Sequence, residues 1–407
     1  MPMSVRVPQR ILVAPSGFKE SLDAVSVAGA IAAGVRRTLP GVRVDIAPIA
    51  DGGEGTARIL AAAGNGRLHE LTVCGPTGDP VKSHWAEVGV GRNRIGVVEM
   101  AAAAGLALVP AGQRDPGATT TFGVGQLIAA ALDAGVSAIL VGCGDSGTCD
   151  GGAGALQALG ARVLDDAGHE IGRGGGELAR AASLDLTGLH PRLRETEMVI
   201  AGNPHNVLTG PNGVARVFGP QKGATPVQVD ELAAALDVWA DVLQRDGLPD
   251  IDYRHGPGSG ASGGLGAGLA AIGGILRSRF DALLDSGLSG IDLDHRIGKA
   301  DLVITAEGSI DFQTPHGKVP AEVARRAQLR GVPVVALAGS LGHGAPSVHD
   351  VGIGAIASII AVPMALSEAV ANGEQLLADA AERTMRMILL GAAVSARAGH
   401  RKRKKAV

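Results

Sequence analysis

Short apolar runs of four to six residues alternate with longer stretches of helical periodicity along most of this chain, and that alternation admits few folds. Strands that recur after helices pair in parallel, and a parallel sheet must bury both of its faces. Residues 11–14 (ILVA) read as the first buried strand and residues 22–37 as the helix that follows it. Further strands are expected at 42–47, 97–100, 138–141, 198–201, 302–305, 332–337 and 355–360, and further helices at 121–135, 228–245, 320–330 and 367–390. A loop rich in Gly, Asp, Ser or Thr follows each strand. Ligands of open α/β sheets bind beyond the carboxyl ends of the strands, so these loops are where chemistry is expected.

The middle of the chain departs from the pattern. Residues 68–73 and 81–88 flank a turn, GPTGDP, and the second run alternates as an antiparallel strand does. A second domain inserted into the first is therefore expected. The first domain takes residues 1–68 and 286–396, the insert takes 69–285, and 397–407 form a basic, disordered tail around HRKRKK. The fold class is α/β: a mostly parallel Rossmann- or flavodoxin-like domain with an α/β insert.

Composition narrows the function. With 62 glycines in 407 residues and 2% aromatics, the core is built of Ala, Val, Leu and Ile, and tight turns are plentiful. The formal net charge of -3 provides no positive field for nucleic acid. No apolar run reaches the length of about 18 residues that spans a bilayer, and the first ten residues lack the apolar centre of a signal peptide. Cys74, Cys143 and Cys149 cannot form a paired framework, so a reducing cytoplasm is expected.

Several strand-end loops could carry chemistry. Residues 15–21 (PSGFKES) put Lys19 where an anion would meet helix amides, with a surface lysine beside an N-capping Ser21 as the plain alternative. Residues 50–56 (ADGGEGT) set Asp51 and Glu54 among three glycines, which suits Mg²⁺ or a hydroxyl proton, or else a helix start favoured by the macrodipole. Residues 142–147 (GCGDSG) match G-x-G-x-x-G after a strand, and Asp165 and Asp166 follow at the distance of a ribose-binding acid. The same amides would serve a phosphate, as would those of 258–263 (GSGASG). In 306–314 (AEGSIDFQT) Glu307 stands at a strand end, Asp311 lies four residues on, and Lys318 follows. That set suits phosphoryl transfer, with acids for Mg²⁺ and the attacking hydroxyl and a lysine for phosphate charge; helix-end capping is the alternative for the two acids. Cys143 and Cys149 are either reactive thiols or small buried residues. No H-E-x-x-H, zinc spacing, Walker A or G-x-S-x-G motif occurs.

Taken in order, these loops resemble the type I glycerate kinase family. The resemblance runs from Ile11 to about Leu341 through APSGFKESL, ADGGEGT, VVEMAAAAGL, TTTFGVGQLI, CDGGAGALQALG, LTGPNGVARVFGPQKGA, GSGASGGLG and ITAEGSIDFQT with Gly317-Lys318. It implies a two-domain α/β enzyme with its active site in the interdomain cleft, which uses ATP and Mg²⁺ to phosphorylate D-glycerate at the 2-hydroxyl. Its partners would be the small hydroxy acid and ATP, without nucleic acid or membrane, and a homo-oligomer is allowed. Loops and resemblance together select Asp51, Lys19 and Asp311 as catalytic. They select Glu54, Asp150, Asn206, Lys222, Gln313, Lys318, Gly260 and Gly263 for substrate and phosphate, and Asp51 and Glu307 for metal. The chain departs from the family pattern at Ser16 and Gly17 (an acid and a serine in A-P-D-S-F-K), across 143–149, at Asn203 (an acid in C-D-V-x-N-P-L) and at Ser309 (the arginine of T-G-E-G-R-L-D). Arg and Ser are not exchangeable where an anion binds. The departures leave open a shift to another hydroxy acid, polyol phosphate or phosphonate, or a silent nucleotide-binding homologue.

Overall fold

The computed structural model describes residues 7–18, 21–91, 93–285 and 292–404. In chain order the strands among them are β1 Arg10–Val13, β2 Arg43–Ile46, β3 Arg67–Cys74, β4 Pro80–Val88, β5 Ile95–Glu99, β6 Ala138–Gly142, β7 Arg162–Leu164, β8 Ser183–Asp185, β9 Glu197–Gly202, β10 Ile275–Ser278, β11 Leu302–Ile310, β12 Val334–Leu341 and β13 Ala355–Ser358. Two compact units emerge: Met1–Ile49 with Asp292–Val407, and Ala50–Ile291. The sequence places the divisions near 68 and 286. The acidic loop from Ala50 and the helix Thr56–Ala63 group instead with the second unit, because that helix packs on β3, β4 and β5.

The first unit is a five-stranded sheet, β13-β12-β11-β1-β2, with every pair parallel. Numbered within the unit the order is 2-1-3-4-5, which reverses between β1 and β11, and a crevice forms at such a reversal. Ile11, Leu12 and Val13 of β1 are fully buried, as the uninterrupted apolar run requires. The helix Ala24–Thr38 starts at Asp23, whose Oδ1 accepts the Ser26 amide at 2.7 Å, so Asp23 and not Ser21 is the cap. The expected helix 367–390 is divided at Asn372 into Leu366–Ala371 and Gly373–Lys404. The second piece runs through most of the segment expected as a disordered tail, since Ala, Arg and Lys are strong helix formers and no proline stops it. Residues 405–407 lie outside the described residues.

The second unit is a six-stranded sheet, β10-β9-β6-β5-β4-β3. β3 and β4 form the antiparallel pair expected around the 75–80 turn, and β5, β6, β9 and β10 run parallel. β10 is a short edge strand, half exposed along its length, and carries no continuous apolar run. The helix Pro226–Asp246 opens with a capping box between Thr225 and Gln228 and buries Trp239, whose Nε1 donates to the Gly151 carbonyl at 2.9 Å. No helix among the described residues is long and apolar enough to cross a membrane.

Candidate active site

In the first unit β11 continues past its expected end, so Glu307 and Ser309 are strand residues in register with Ala338 and Ser340 of β12. Alternation sets the two on one face of the sheet. The chain then turns back: the Asp311 amide donates to Thr314 Oγ1 at 3.0 Å, the Gln313 amide to Asp311 Oδ1 at 2.9 Å, and Gly317 takes a φ of 95°. This turn returns Lys318 to the strand end. Its Nζ lies 3.5 Å from Glu307 Oε1, 3.3 Å from Asp311 Oδ1 and 3.3 Å from the Ser309 carbonyl. The ammonium thus sits between two carboxylates, one on β11 beside the reversal of strand order and one just past its end, while the Gln313 side chain is exposed. At two of the departures from the family pattern, neutral hydroxyls bond within the sheet: Ser16 Oγ donates to the Ala306 carbonyl at 3.1 Å and Ser340 Oγ donates to Ser309 Oγ at 3.0 Å. Lys19 lies outside the described residues.

In the second unit the loop from Asp51 to Gly55 bends through left-handed Gly52 and Gly55, with φ of 87° and 89°. Asp51 Oδ1 accepts the Gly53 amide at 3.0 Å, and Arg279 Nη1 approaches the Asp51 carbonyl at 3.3 Å and Oδ2 at 3.6 Å. Asp145, a non-glycine residue at φ 52°, accepts the exposed Glu54's amide at 3.1 Å. A methyl group on Gly53 would overlap the Asp145 carboxylate and lie 3.2 Å from Asp51 Oδ1, so two carboxylates converge over that glycine. Gly142 and Gly144 lie directly against the backbone of Gly52 and Gly53. Asp145 and Glu99, whose carboxylate accepts the Gly55 and Ala57 amides at 3.3 and 2.7 Å, were missed from sequence. A lone acid in the apolar run VVEM was the available signal for Glu99, and the G-x-G-x-x-G loop 142–147 the signal for Asp145.

Asp150 and Lys222 are buried and act as braces. Asp150 accepts from the Thr121 amide at 2.7 Å and hydroxyl at 2.8 Å, and from the Gly152 and Gly154 amides at 3.2 and 3.3 Å. Burial pushes its carboxyl above the usual range despite these donors. Lys222 Nζ donates to Ser146 Oγ at 2.8 Å and to the Thr148 carbonyl at 2.7 Å. Both side chains therefore hold the 142–152 segment in shape. That segment lacks the neighbour a dinucleotide site needs. β7 pairs with β8 and not with β6, and Asp165 accepts the Ala167 and His169 amides in a tight turn. Burial pushes the Cys143 thiol up to about 12, and burial likewise raises Cys149, so neither is a poised nucleophile.

The 258–266 segment contains three consecutive left-handed residues, Ser262, Gly263 and Gly264. The Asn206 carbonyl accepts the Gly260 amide at 3.0 Å, and methyl groups on Gly260 or Gly263 would overlap the Val207 or Thr148 carbonyl. Ser262 is 8% exposed, and its hydroxyl faces the Cys143 thiol. A buried hydroxyl on a left-handed glycine turn suits an anionic oxygen.

Among the described residues no three His, Cys, Asp or Glu side chains converge as a metal cage. The carboxylates occur in pairs, Asp51 with Asp145 and Glu307 with Asp311. Mg²⁺ takes one or two carboxylates and completes its shell with phosphate oxygens and water, so the Asp51–Asp145 pair of hard oxygen donors fits an ion that arrives with a nucleotide, while Lys318 already stands between Glu307 and Asp311.

A sequence model described as the glycerate kinase family matches residues 11–389. A protein named glycerate kinase from Bacillus subtilis (strain 168) is 44% identical over 379 residues, 93% of this chain and 96% of that one. The Escherichia coli (strain K12) protein named glycerate 2-kinase is 43% identical over 361 residues, 88% of this chain and 93% of its own. The crystal structure of a candidate glycerate kinase 2 from Salmonella typhimurium LT2 superimposes with a TM-score of 0.73 at 41% identity, covering 94% of this chain and 98% of that one.

Proposed function

Because the chain belongs to the glycerate kinase family, a phosphotransferase family with an alcohol acceptor, we propose that it transfers the terminal phosphoryl group of ATP to the 2-hydroxyl of D-glycerate, giving 2-phosphoglycerate. The observation that carries this reading is Lys318 held between Glu307 and Asp311 at the end of β11. Phosphoryl transfer needs little covalent help from a protein. It needs positioning and charge stabilisation, and an ammonium flanked by acids offers both a counter-charge for phosphoryl oxygens and an acceptor for the hydroxyl proton.

Asp51 and Asp311 are the proposed groups that orient or deprotonate the hydroxyl, with Lys19 and Lys318 facing phosphoryl or carboxylate charge. Glu54, Asn206, Gln313 and the backbone at Gly260 and Gly263 are proposed to hold substrate. Asp150 and Lys222 are proposed to act on substrate or phosphate as well, from the loop they brace. Mg²⁺, for which Asp51 of the second unit and Glu307 of the first are the proposed carboxylates, would neutralise phosphate charge when bound. The reaction is proposed to run in the cytoplasm, where Cys74, Cys143 and Cys149 stay reduced.

The test is ADP release from MgATP with D-glycerate, run beside L-glycerate, other small hydroxy acids and a no-acceptor control, with phosphorus NMR to identify the phosphorylated hydroxyl. Turnover of D-glycerate to the 2-phosphate is expected; a better acceptor elsewhere in the panel, or no product from any acceptor, overturns the assignment. Asp51→Asn and Asp311→Asn are expected to lower kcat by about 10²-fold or more where the residue handles the proton. If both retain the parent kcat, neither is the base.

A further inference from the structure

Glu99 stands alone as a charge in the strand segment Val97-Val98-Glu99-Met100, and it is 1% exposed. A carboxylate so far from water is costly unless every lone pair is answered. It is answered by a helix start: Oε1 accepts the Gly55 amide at 3.3 Å and Oε2 the Ala57 amide at 2.7 Å, with His84 Nε2 3.4 Å from Oε1. Both amides belong to the first turn of Thr56–Ala63, where the helix dipole favours an anion.

That turn is tied to the acidic loop. Thr56 Oγ1 accepts the Gly52 amide at 3.0 Å, Asp51 Oδ1 accepts the Gly53 amide, and Asp145 accepts the Glu54 amide. The chain from Glu99 through Thr56 to Gly52 therefore sets where the Asp51 carboxylate lies. We propose that Glu99 is a positioning residue for the reaction, fixing Asp51 through the helix start without touching substrate; this rests on the reading above that Asp51 acts in phosphoryl transfer. A glutamine cannot take its place, because one oxygen would be replaced by an NH₂ group facing an amide N–H.

The experiment uses the full chain with Glu99→Gln, Glu99→Asp and, as a control for stability alone, Ser83→Ala, which removes a 2.6 Å bond to the Ala102 carbonyl from the same sheet. Glu99→Gln is expected to lower kcat about tenfold or more while KM for MgATP moves less than about threefold. Amide exchange at residues 52–57, followed by mass spectrometry, is expected to quicken about tenfold with the rest of the sheet unchanged. Glu99→Asp, which keeps the charge but draws it back by one carbon, should recover part of kcat, and it carries the exchange test if Glu99→Gln does not fold. The proposal is overturned if exchange at 52–57 is unaltered, or if kcat falls no further than in Ser83→Ala. Should the parent protein phosphorylate no hydroxy acid, the kinase reading fails, and the exchange result alone decides whether Glu99 holds the loop.

Discussion

Removing the ammonium of Lys318 would take away the cation that Glu307 and Asp311 share. Lys318→Met is expected to lower kcat/KM by about 10²-fold or more with the fold retained, as steady-state kinetics beside a thermal melt would establish. Lys318→Arg should restore little, because a planar fork cannot reproduce a point charge seated between two carboxylates and a backbone carbonyl. Parental turnover in both variants would remove Lys318 from the reaction. Lys222 shows that one residue type can sit in very different surroundings. It carries the same ammonium in an equally polar sequence, yet it is 2% exposed and bound to Ser146 and Thr148. How deeply each ammonium is buried depends on residues far away in the chain. Lys318 was legible because its partners lie within eleven positions of it. Asp145 was less so, because its value comes from meeting Glu54 and Gly53 of a loop far away in the chain.

Elements were legible wherever an apolar run matched a buried strand. β1, β5, β6, β9, β11 and β12 fall at or near their expected positions, while the half-exposed β10 and the ribbon β7–β8 carry no comparable pattern. Glycines mark where elements approach most closely. In Ala24–Thr38, a methyl group at Gly34 would overlap the Ala378 backbone of Gly373–Lys404, whereas one at Gly29 would meet nothing within 4 Å. Gly34→Ala is therefore expected to destabilise by about 1–3 kcal/mol through overpacking. Gly29→Ala should stabilise by up to about 1 kcal/mol through helix propensity. Urea denaturation of the pair reads the difference, and equal effects would mean the helices do not pack this closely. The sequence marks both glycines alike; only the neighbouring helix gives them opposite signs.

At the scale of the molecule, acid stability follows from carboxylates in both units. Burial raises Asp45, but hydrogen bonds from Arg10 and Arg43 outweigh it and leave the carboxyl below its ordinary value. The side chain of Arg245, joined by the Leu184 amide and opposed by burial, likewise lowers Asp246. A carboxyl whose folded pKa lies below the unfolded value of about 3.9 binds fewer protons when folded. Its stabilisation is present above that value and is lost as pH falls through the folded pKa. Asp150 has the opposite sign: raised by burial, it favours the folded state below its unfolded pKa and loses that contribution as pH rises through the folded one. Unfolding free energy is thus expected to fall as pH drops below about 4, with a shallower slope in Asp45→Asn. Denaturation curves across a pH series check this, and an unchanged slope would show that Asp45 does not contribute. Local order sufficed for the sequence to determine the βα succession, the strand-end loops and most of the residues able to carry charge in them, since apolar periodicity and turn chemistry act over a few positions. The tertiary structure alone decided which charges are buried, which carboxylates converge over Gly53 and which helix start Glu99 holds. Those outcomes depend on pairs such as Lys222 with Ser146 and Glu54 with Asp145, 76 and 91 positions apart, whose meeting no local pattern encodes.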